Sequence, residues 1–463
     1  MPVDIPLNLE QLDYLLRTYG NKTHSDNLEN LGINSIGDAI YVYSEKLIKS
    51  NVNNFMEIFK KYIPSFKQYF AVKALPNPHI LKLLYDCGLG FDCSSISELK
   101  IVNELEKTYN IKCKKIFSSN YTSYEDIAYY FMDGITDENL LKKSNSILNL
   151  DDEDGLNNMI KFFDYLKEKN KELAKNLFPK LICFRYNPLI GATDSDVKSN
   201  VLGGSNTKFG ISSDKILNVY QIAKNYGIKE FGIHVMTGSC ILDINYFSKL
   251  LEIIYPIINE LFEKLEIKIK FINLGGGIGI PYKKIISEIN LEKMVENIYN
   301  TNNLLLLKYS INWKISIMME NGRYITGPYG WLITRCGSIK KGYDDKKFIS
   351  LRACMSNLMR PGMYGAYHHI TIPRLINNAN YELVDVVGTL CENNDYFAKD
   401  RLLPTNIKTD DIVVIYDCGA HSHSMGFQYN GKLRCGEILF TDTEFKLIRE
   451  GEIFENYIST VKK

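Results

Sequence analysis

Three short stretches carry residue types that can do chemistry together. The first is Tyr69-Phe70-Ala71-Val72-Lys73, an apolar run that ends on a lysine before the chain turns at Pro76-Asn77-Pro78. Such a run suits a parallel strand buried on both faces, and a lysine at its C-terminal end points into the cleft where α/β enzymes place their reacting groups. The amine needs desolvation or a covalent partner there, and a Schiff base with an aldehyde cofactor supplies one. The second stretch is Gly275-Gly276-Gly277-Ile278-Gly279, which follows the apolar run 270–274. Consecutive glycines let backbone N–H groups approach a phosphate closely. Their spacing is not G-x-G-x-x-G with an acid downstream, which argues against a dinucleotide site. The third is Glu320-Asn321-Gly322-Arg323. A buried carboxylate keeps a pyridine nitrogen protonated and so makes the ring an electron sink, and an arginine binds phosphate or carboxylate in bidentate fashion. Taken singly, each leaves a plain alternative open: a solvated rim lysine, a structural turn, a structural ion pair.

The elements that must position these residues form a repeating pattern. Short apolar or β-branched runs at 69–73, 88–93, 115–119, 146–150, 181–186, 230–235, 270–274 and 314–319 alternate with helical periods such as 97–109, 124–132, 155–167, 215–226 and 246–264. Eight strand–helix units in succession are the count of a (β/α)8 barrel, with a doubly wound open sheet as the alternative. On that count the glycine run lies after strand 7, where barrels usually cradle phosphate. Upstream, 9–19 reads as a short helix, 39–43 as a strand and 45–62 as an amphipathic helix. After Arg323 the pattern changes to strand-length runs at 331–340, 348–353, 381–387, 411–417 and 434–440. The expected organisation is a barrel over 44–330 and a β-rich domain over 331–463, joined by the N-terminal segment 1–43. No Pro/Gly/Ser-rich linker separates them.

Composition narrows the function classes. The 463 residues exceed one ordinary domain, and 45% hydrophobic with 24% charged residues is globular and soluble. A net charge of +1 gives no electrostatic case for nucleic acid or an anionic membrane as partner. The start, MPVDIPLNLE, lacks the basic and apolar regions of a signal peptide, and no apolar run has transmembrane length. Ten cysteines without a C-x-x-C pair indicate neither a zinc site nor a disulfide framework, and favour a reducing cytoplasm. No metal site is expected.

Nearly the whole chain resembles the fold-type III pyridoxal-phosphate decarboxylases, and within them the diaminopimelate decarboxylases. Lys73 in V-K-A is similar to the family's cofactor lysine, and Phe91-Asp92-Cys93-Ser94-Ser95 to the loop of the next strand. Lys208-Phe209-Gly210-Ile211 and Gly238-Ser239 resemble motifs at the phosphate end. Gly275-Gly276-Gly277 resembles the glycine cradle, and Glu320-Asn321-Gly322-Arg323 the E-P-G-R motif. Gly388-Thr389-Leu390-Cys391-Glu392-Asn393-Asn394-Asp395 is similar to G-x-x-C-E-x-x-D, the most specific of these matches. The segment from Asn357 through Arg360 and Tyr364 to His369 resembles the grip on the substrate's far carboxylate, and Tyr429-Asn430 a late Tyr-Asn pair. Three positions depart from the pattern. Met236 stands where the family has a histidine stacked on the cofactor ring, with His234 two residues earlier at a less critical site. Asn321 replaces proline, and His421 a tyrosine.

The resemblance implies an alanine-racemase-type TIM-like barrel with a second β-rich domain, and pyridoxal 5'-phosphate as cofactor. It implies that Lys73, Asp92, Met236, Ser239, the three glycines, Glu320, Arg323 and Tyr429 bind the cofactor. Arg323, Arg360, Tyr364, Glu392 and Tyr429 would bind substrate, and Lys73 and Cys391 would be catalytic, the thiol delivering a proton. It implies meso-diaminopimelate as substrate, L-lysine and CO2 as products, and a homodimer whose active sites are shared across the interface. The alternatives are a sister decarboxylase for ornithine, arginine or carboxynorspermidine, and a non-catalytic regulatory homologue. Arg360 disfavours simple diamines, whose distal end is cationic.

Overall fold

The computed structural model describes residues 2–21, 37–135, 146–191, 202–283, 285–377 and 380–462. The first strand, β1 (Ala39–Ser44), is followed by eight strands that close on themselves: β2 (Lys67–Ala71), β3 (Gly90–Cys93), β4 (Lys115–Phe117), β5 (Ser146–Leu150), β6 (Leu181–Arg185), β7 (Glu230–His234), β8 (Ile269–Asn273) and β9 (Ser316–Met319). Every neighbouring pair is parallel, and β9 returns to β2 through Lys67↔Met318 and Gln68↔Met319. The barrel count is therefore borne out, and the open sheet is not what forms. Strands shielded on both faces read as apolar runs, which is why they were legible. Inside, Tyr69, Ile116, Ile147, Leu181, Cys183, Phe271 and Met318 pack as one apolar cluster.

The helices of this unit begin where side chains satisfy orphan N–H groups. Asn77 accepts from the His79 N–H and Pro78 opens the helix Pro78–Asp86, so the Pro-Asn-Pro turn sets where the chain goes after Lys73. Ser95 caps the helix Ile96–Tyr109 by accepting from the Glu98 N–H.

The chain divides into two compact units, one of 49–279 with 289–325, the other of 1–48, 280–288 and 326–463. The second therefore takes in β1 and a short excursion, 280–288, that the sequence reading had counted with the barrel. Its strands are β10 (Gly330–Lys341), β11 (Lys347–Leu351), β12 (Ile370–Thr371), β13 (Tyr381–Val387), β14 (Tyr396–Pro404), β15 (Ile412–Ile415), β16 (Gly436–Phe440) and β17 (Phe445–Arg449). Together with β1 they form a nine-stranded sheet with the main order β14-β13-β11-β10-β1-β16-β17, β15 pairing with β10 and β12. The helix Leu9–Tyr19, begun by an Asn8–Gln11 capping box, lays Leu12, Leu15 and Leu16 on a core of Ile40, Val42, Trp331, Ile333, Val414 and Ile438.

Candidate active site

Lys73 was expected as the last residue of a strand running from Tyr69. The ladder instead ends at Ala71, paired with Asp92, and Val72–Ala74 form a 3₁₀ turn. Val72 and Ala74 are buried while Lys73 between them is exposed, so the turn places the lysine just past the C-terminal end of β2. Gly322 packs against this turn: a Cβ there would lie 2.6 Å from the Ala74 Cβ, which accounts for the glycine of Glu320-Asn321-Gly322-Arg323. Burial raises the Asp92 and Glu98 carboxyls while the Lys73 charge pulls them part of the way back, and the same charge helps to hold Glu320 low.

A layer of polar side chains crosses the barrel at this end. Asp92 on β3, Asn149 on β5, His234 on β7 and Glu320 just after β9 come from alternate strands, the arrangement that fills a barrel in layers of four. Such layers are ordinarily Val, Ile and Leu, yet all four of these are buried and polar. Asn149 Nδ2 donates to His234 Nδ1 at 3.1 Å and to Ser118 Oγ at 2.7 Å. That leaves the imidazole proton on Nε2, which donates to Glu320 Oε2 at 3.1 Å. Asn273 Nδ2 donates to the other oxygen, Oε1, at 2.5 Å. Burial works against ionisation of Glu320, but His234, Asn273 and the Lys73 ammonium outweigh it and hold the carboxyl below its ordinary range. Asp92 goes the other way: burial first, then the charge of Glu320, push it well above the usual carboxylate range. Asp92 Oδ1 and Asn149 Oδ1 are buried without a hydrogen-bond partner among the described residues.

His234 was read as a less critical position; in the structure its imidazole is bonded to Glu320. Asn149, Asn273 and Arg185 were not singled out at all. The signal was present: each ends, or nearly ends, an apolar strand with a polar residue, in SILNL, IKFIN and LICFR. Arg185 ties several loops together. It donates through Nη1 to Asn120 Oδ1 at 3.1 Å and Asp151 Oδ1 at 3.0 Å, and through Nη2 to the Met236 carbonyl at 3.0 Å. Its guanidinium lies 4.6 Å from the Phe209 ring centroid, which anchors the Lys208-Phe209-Gly210-Ile211 segment.

The glycine loop follows barrel strand 7, as the count required. Gly275 and Gly277 have φ of +68° and +111°. A Cβ at Gly276 would sit 2.5 Å from the Glu320 carbonyl oxygen, and one at Gly277 2.5 Å from that of Gly238. The loop thus lies directly on the two turns carrying Gly238-Ser239 and Glu320-Asn321. Gly276 N–H donates to Met236 Sδ at 3.1 Å, so the thioether sits at the loop, half-buried. Arg323 Nη2 reaches Ser239 Oγ at 3.5 Å. Asn321, standing where the motif has proline, accepts from Ile278 N–H at 3.2 Å and donates to Gln68 Oε1 at 3.2 Å, joining the glycine loop to β2. Asp92, Met236, Ser239, the three glycines, Glu320 and Arg323 are brought together in the barrel unit with Lys73.

The remaining candidates lie in the β-rich unit. Cys391, Glu392, Tyr364 and Tyr429 are exposed. Asn430 Oδ1 accepts from the Cys391 N–H at 2.8 Å, so the C-E-x-x-D and Tyr-Asn motifs meet. Asp395 is the buried brace of that loop, accepting from Met355 N–H at 2.6 Å and Leu390 N–H at 2.8 Å. Arg360 is buried on the short helix Met359–Tyr364. It donates to His368 Nε2 at 2.7 Å, while His368 Nδ1–H donates to the Tyr416 carbonyl at 2.8 Å, and its guanidinium lies 4.9 Å from the Tyr282 ring. No helix among the described residues is long and apolar enough to cross a membrane, and those residues hold no cluster suited to a metal ion.

Comparison with known proteins agrees with this arrangement. Residues 49–327 match the family described as "Pyridoxal-dependent decarboxylase, pyridoxal binding domain". Protein TabA of Pseudomonas amygdali pv. tabaci is 32% identical over 93% of this chain and 92% of its own. The diaminopimelate decarboxylase of Campylobacter jejuni is 32% identical over 91% of this chain and 96% of its own. Among solved structures, diaminopimelate decarboxylase from M. jannaschii in complex with L-lysine superposes with a TM-score of 0.77 at 27% identity, covering 95% of this chain and 94% of that one. The Helicobacter pylori enzyme complexed with L-lysine gives 0.76 at 27% identity, over 94% and 98%. With a closed eight-stranded barrel, a lysine at the end of its first strand and a family match over more than half its length, the chain belongs to the pyridoxal-dependent decarboxylases.

Proposed function

We propose that this decarboxylase converts meso-diaminopimelate to L-lysine and CO2, the last step of lysine biosynthesis, as a cytoplasmic homodimer with active sites shared across the interface. The observation that carries the reading is Glu320: buried, fixed on both oxygens and held below the ordinary carboxylate range, beside the glycine loop and within the influence of Lys73. The residues fit pyridoxal 5'-phosphate. Backbone N–H groups and Arg323 gather at a loop with no room for Cβ atoms, Glu320 is an anionic acceptor of the kind that would keep a pyridine nitrogen protonated, and Asp92 Oδ1 and Asn149 Oδ1 remain buried without partners among the described residues. When bound, the group supplies an electron sink for the pair released as CO2 leaves.

The chain's own residues do the rest. Lys73 would hold the cofactor covalently, and Ser239, Arg323 and the glycine loop would hold its phosphate. Met236, with its sulfur at the glycine loop, would offer the ring a polarizable thioether in place of an imidazole. Glu320 presents fixed negative charge where positive charge must persist, preorganised electrostatics of the kind that lowers barriers most. Cys391 delivers the proton that replaces the carboxylate. The distal end of diaminopimelate carries a carboxylate and an ammonium, and both need partners once water is excluded. Arg360 and Arg323 with Tyr364 would pair with the carboxylate, Glu392 with the ammonium, and Tyr429 would contact both cofactor and substrate. Similarity to curated diaminopimelate decarboxylases supports this choice of substrate.

Incubating the purified protein with pyridoxal phosphate and meso-diaminopimelate should release CO2 and lysine in equal amounts. Release of CO2 from ornithine, arginine or carboxynorspermidine in preference to diaminopimelate would overturn the substrate assignment. No release from any of them would overturn the activity.

A further inference from the structure

We infer that His234 is a positioning residue for the decarboxylation: through Nε2–H it fixes the Glu320 carboxylate in one orientation and keeps it anionic, as the middle member of a hydrogen-bonded chain Ser118–Asn149–His234–Glu320–Asn273 across the barrel. The inference rests on the cofactor-binding reading of Glu320 given above.

The geometry is over-determined at every member. His234 sits at the last position of β7, opposite Asn273 of β8 and Arg185 of β6. Its two ring nitrogens face different partners, Asn149 Nδ2 at 3.1 Å and Glu320 Oε2 at 3.1 Å, so rotating the ring would break both contacts. Asn273 is itself anchored, since its Oδ1 accepts from the Gly275 N–H at 3.0 Å. The Glu320 N–H donates to the Gly275 carbonyl at 2.8 Å, so backbone and side chain of Glu320 are held by the same loop that begins the glycine cradle. A carboxylate tied this way cannot turn an oxygen towards Asp92, the neighbouring buried acid.

That neighbour makes the anchoring consequential. Two carboxyls buried in one polar layer repel when both are charged, so one must give up its charge. The titratable groups that interact with Glu320 are Asp92 on β3, Lys73, His234 on β7, Arg185 and Cys183 on β6, and Tyr69 on β2; burial and the Glu320 charge keep Cys183 and Tyr69 protonated. Asp92 has an oxygen without a partner among the described residues, whereas both Glu320 oxygens are occupied by N–H donors. The proton therefore resides on Asp92 and the charge on Glu320. Without the His234 donor the asymmetry weakens, and Glu320 takes up a proton at higher pH.

The test compares wild type, His234→Leu and His234→Gln, whose side-chain amide places an N–H near the lost Nε2. Each protein is loaded with pyridoxal phosphate and its absorbance is titrated against pH without substrate; kcat and KM for diaminopimelate are then measured across the same range. His234→Leu should shift the absorbance titration and move the acid limb of the kcat profile to higher pH, with kcat lowered about 10- to 100-fold and KM little changed, as expected for losing a hydrogen bond to a charged group. His234→Gln should recover most of both. If His234→Leu does not fold, Asn149→Leu, which frees the other side of the imidazole, should shift the titration in the same direction by less. An unshifted titration in the folded variant, or a Gln variant no better than Leu, would overturn the inference while leaving the proposed function standing. A wild type that takes up no pyridoxal phosphate would overturn both.

Discussion

Glu320 and Glu392 are both assigned a charge to hold, and their settings are opposite. Glu320 is buried, receives a donor on each oxygen, and has its backbone locked to the glycine loop. Glu392 is exposed, and its Oε1 accepts only a local turn hydrogen bond from Asn394 N–H at 3.1 Å among the described contacts. The same contrast separates Asp92 and the glycine loop from Cys391 and Tyr429. In the barrel unit the functional side chains are fixed by neighbours already in place, which is preorganisation in the electrostatic sense. In the β-rich unit the loop is fixed through its backbone, by Asp395 and Asn430, while the side chains assigned to substrate face solvent. The barrel unit holds its polar side chains by contacts among themselves; the C-E-x-x-D loop is held by its backbone and leaves its side chains open to solvent.

Arg360 cuts across this contrast, being a substrate-assigned residue that is buried and bonded to His368. Arg360→Ala should lower catalytic efficiency on diaminopimelate by a factor of up to about 10⁴, because the distal carboxylate would lose its buried arginine partner, while cofactor absorbance stays intact. If Arg360 only braces its unit, the variant will instead lose stability and keep the wild-type preference. Efficiencies on diaminopimelate, lysine and ornithine, with an unfolding curve, separate the two. Cys391→Ala comes next. The thiol is exposed, so unfolding should change by less than about 0.5 kcal/mol, while kcat drops by about 10²–10⁴. Mixed with Lys73→Ala chains under subunit exchange, this variant should regain up to about a quarter of full sites if two chains share them. No recovery despite proven exchange would place each site within one chain.

The smallest effect concerns the buried acid of the β-rich unit. Burial pushes Asp417 up to about 7 from the usual 3.8, with positive charges including Arg360 pulling it only part of the way back. The protonated form is favoured in the fold, so this stability is fully present below about pH 4 and is lost as pH rises through 7, by at most about 1.4 kcal/mol per pH unit. Asp417→Asn removes the proton-dependent part. Urea unfolding at a series of pH values should show the variant gaining on wild type from pH 4 to 7; parallel curves would remove Asp417 from the account.

Much of the fold was legible because parallel barrel strands are apolar on both faces and announce themselves as runs. What escaped was structure without such a pattern. β14 follows directly on the motif that ends at Asp395, and its middle carries exposed Lys399 and Asp400. β12 is two residues long, and β17, FKLIR, mixes charge with apolar residues at an edge. Lys73 was placed at the end of a strand because the apolar run Tyr69–Val72 leads straight into it; only pairing shows that the ladder stops at Ala71. Motif residues of the site could be named one by one. Their supports could not, since His234 acts on a residue 86 positions away and Asn149 on one 85 away. Spacing along the chain carries no trace of a layer assembled from alternate strands.

The central claim is that the barrel unit is a prepared seat in which Lys73 carries the cofactor. Purified protein loaded with pyridoxal phosphate should be yellow, and borohydride should abolish the absorbance band. Mass spectrometry of the reduced, digested protein should then find one adduct, on the peptide containing Lys73. An adduct on a different lysine, or a band that borohydride leaves unchanged, would contradict the account.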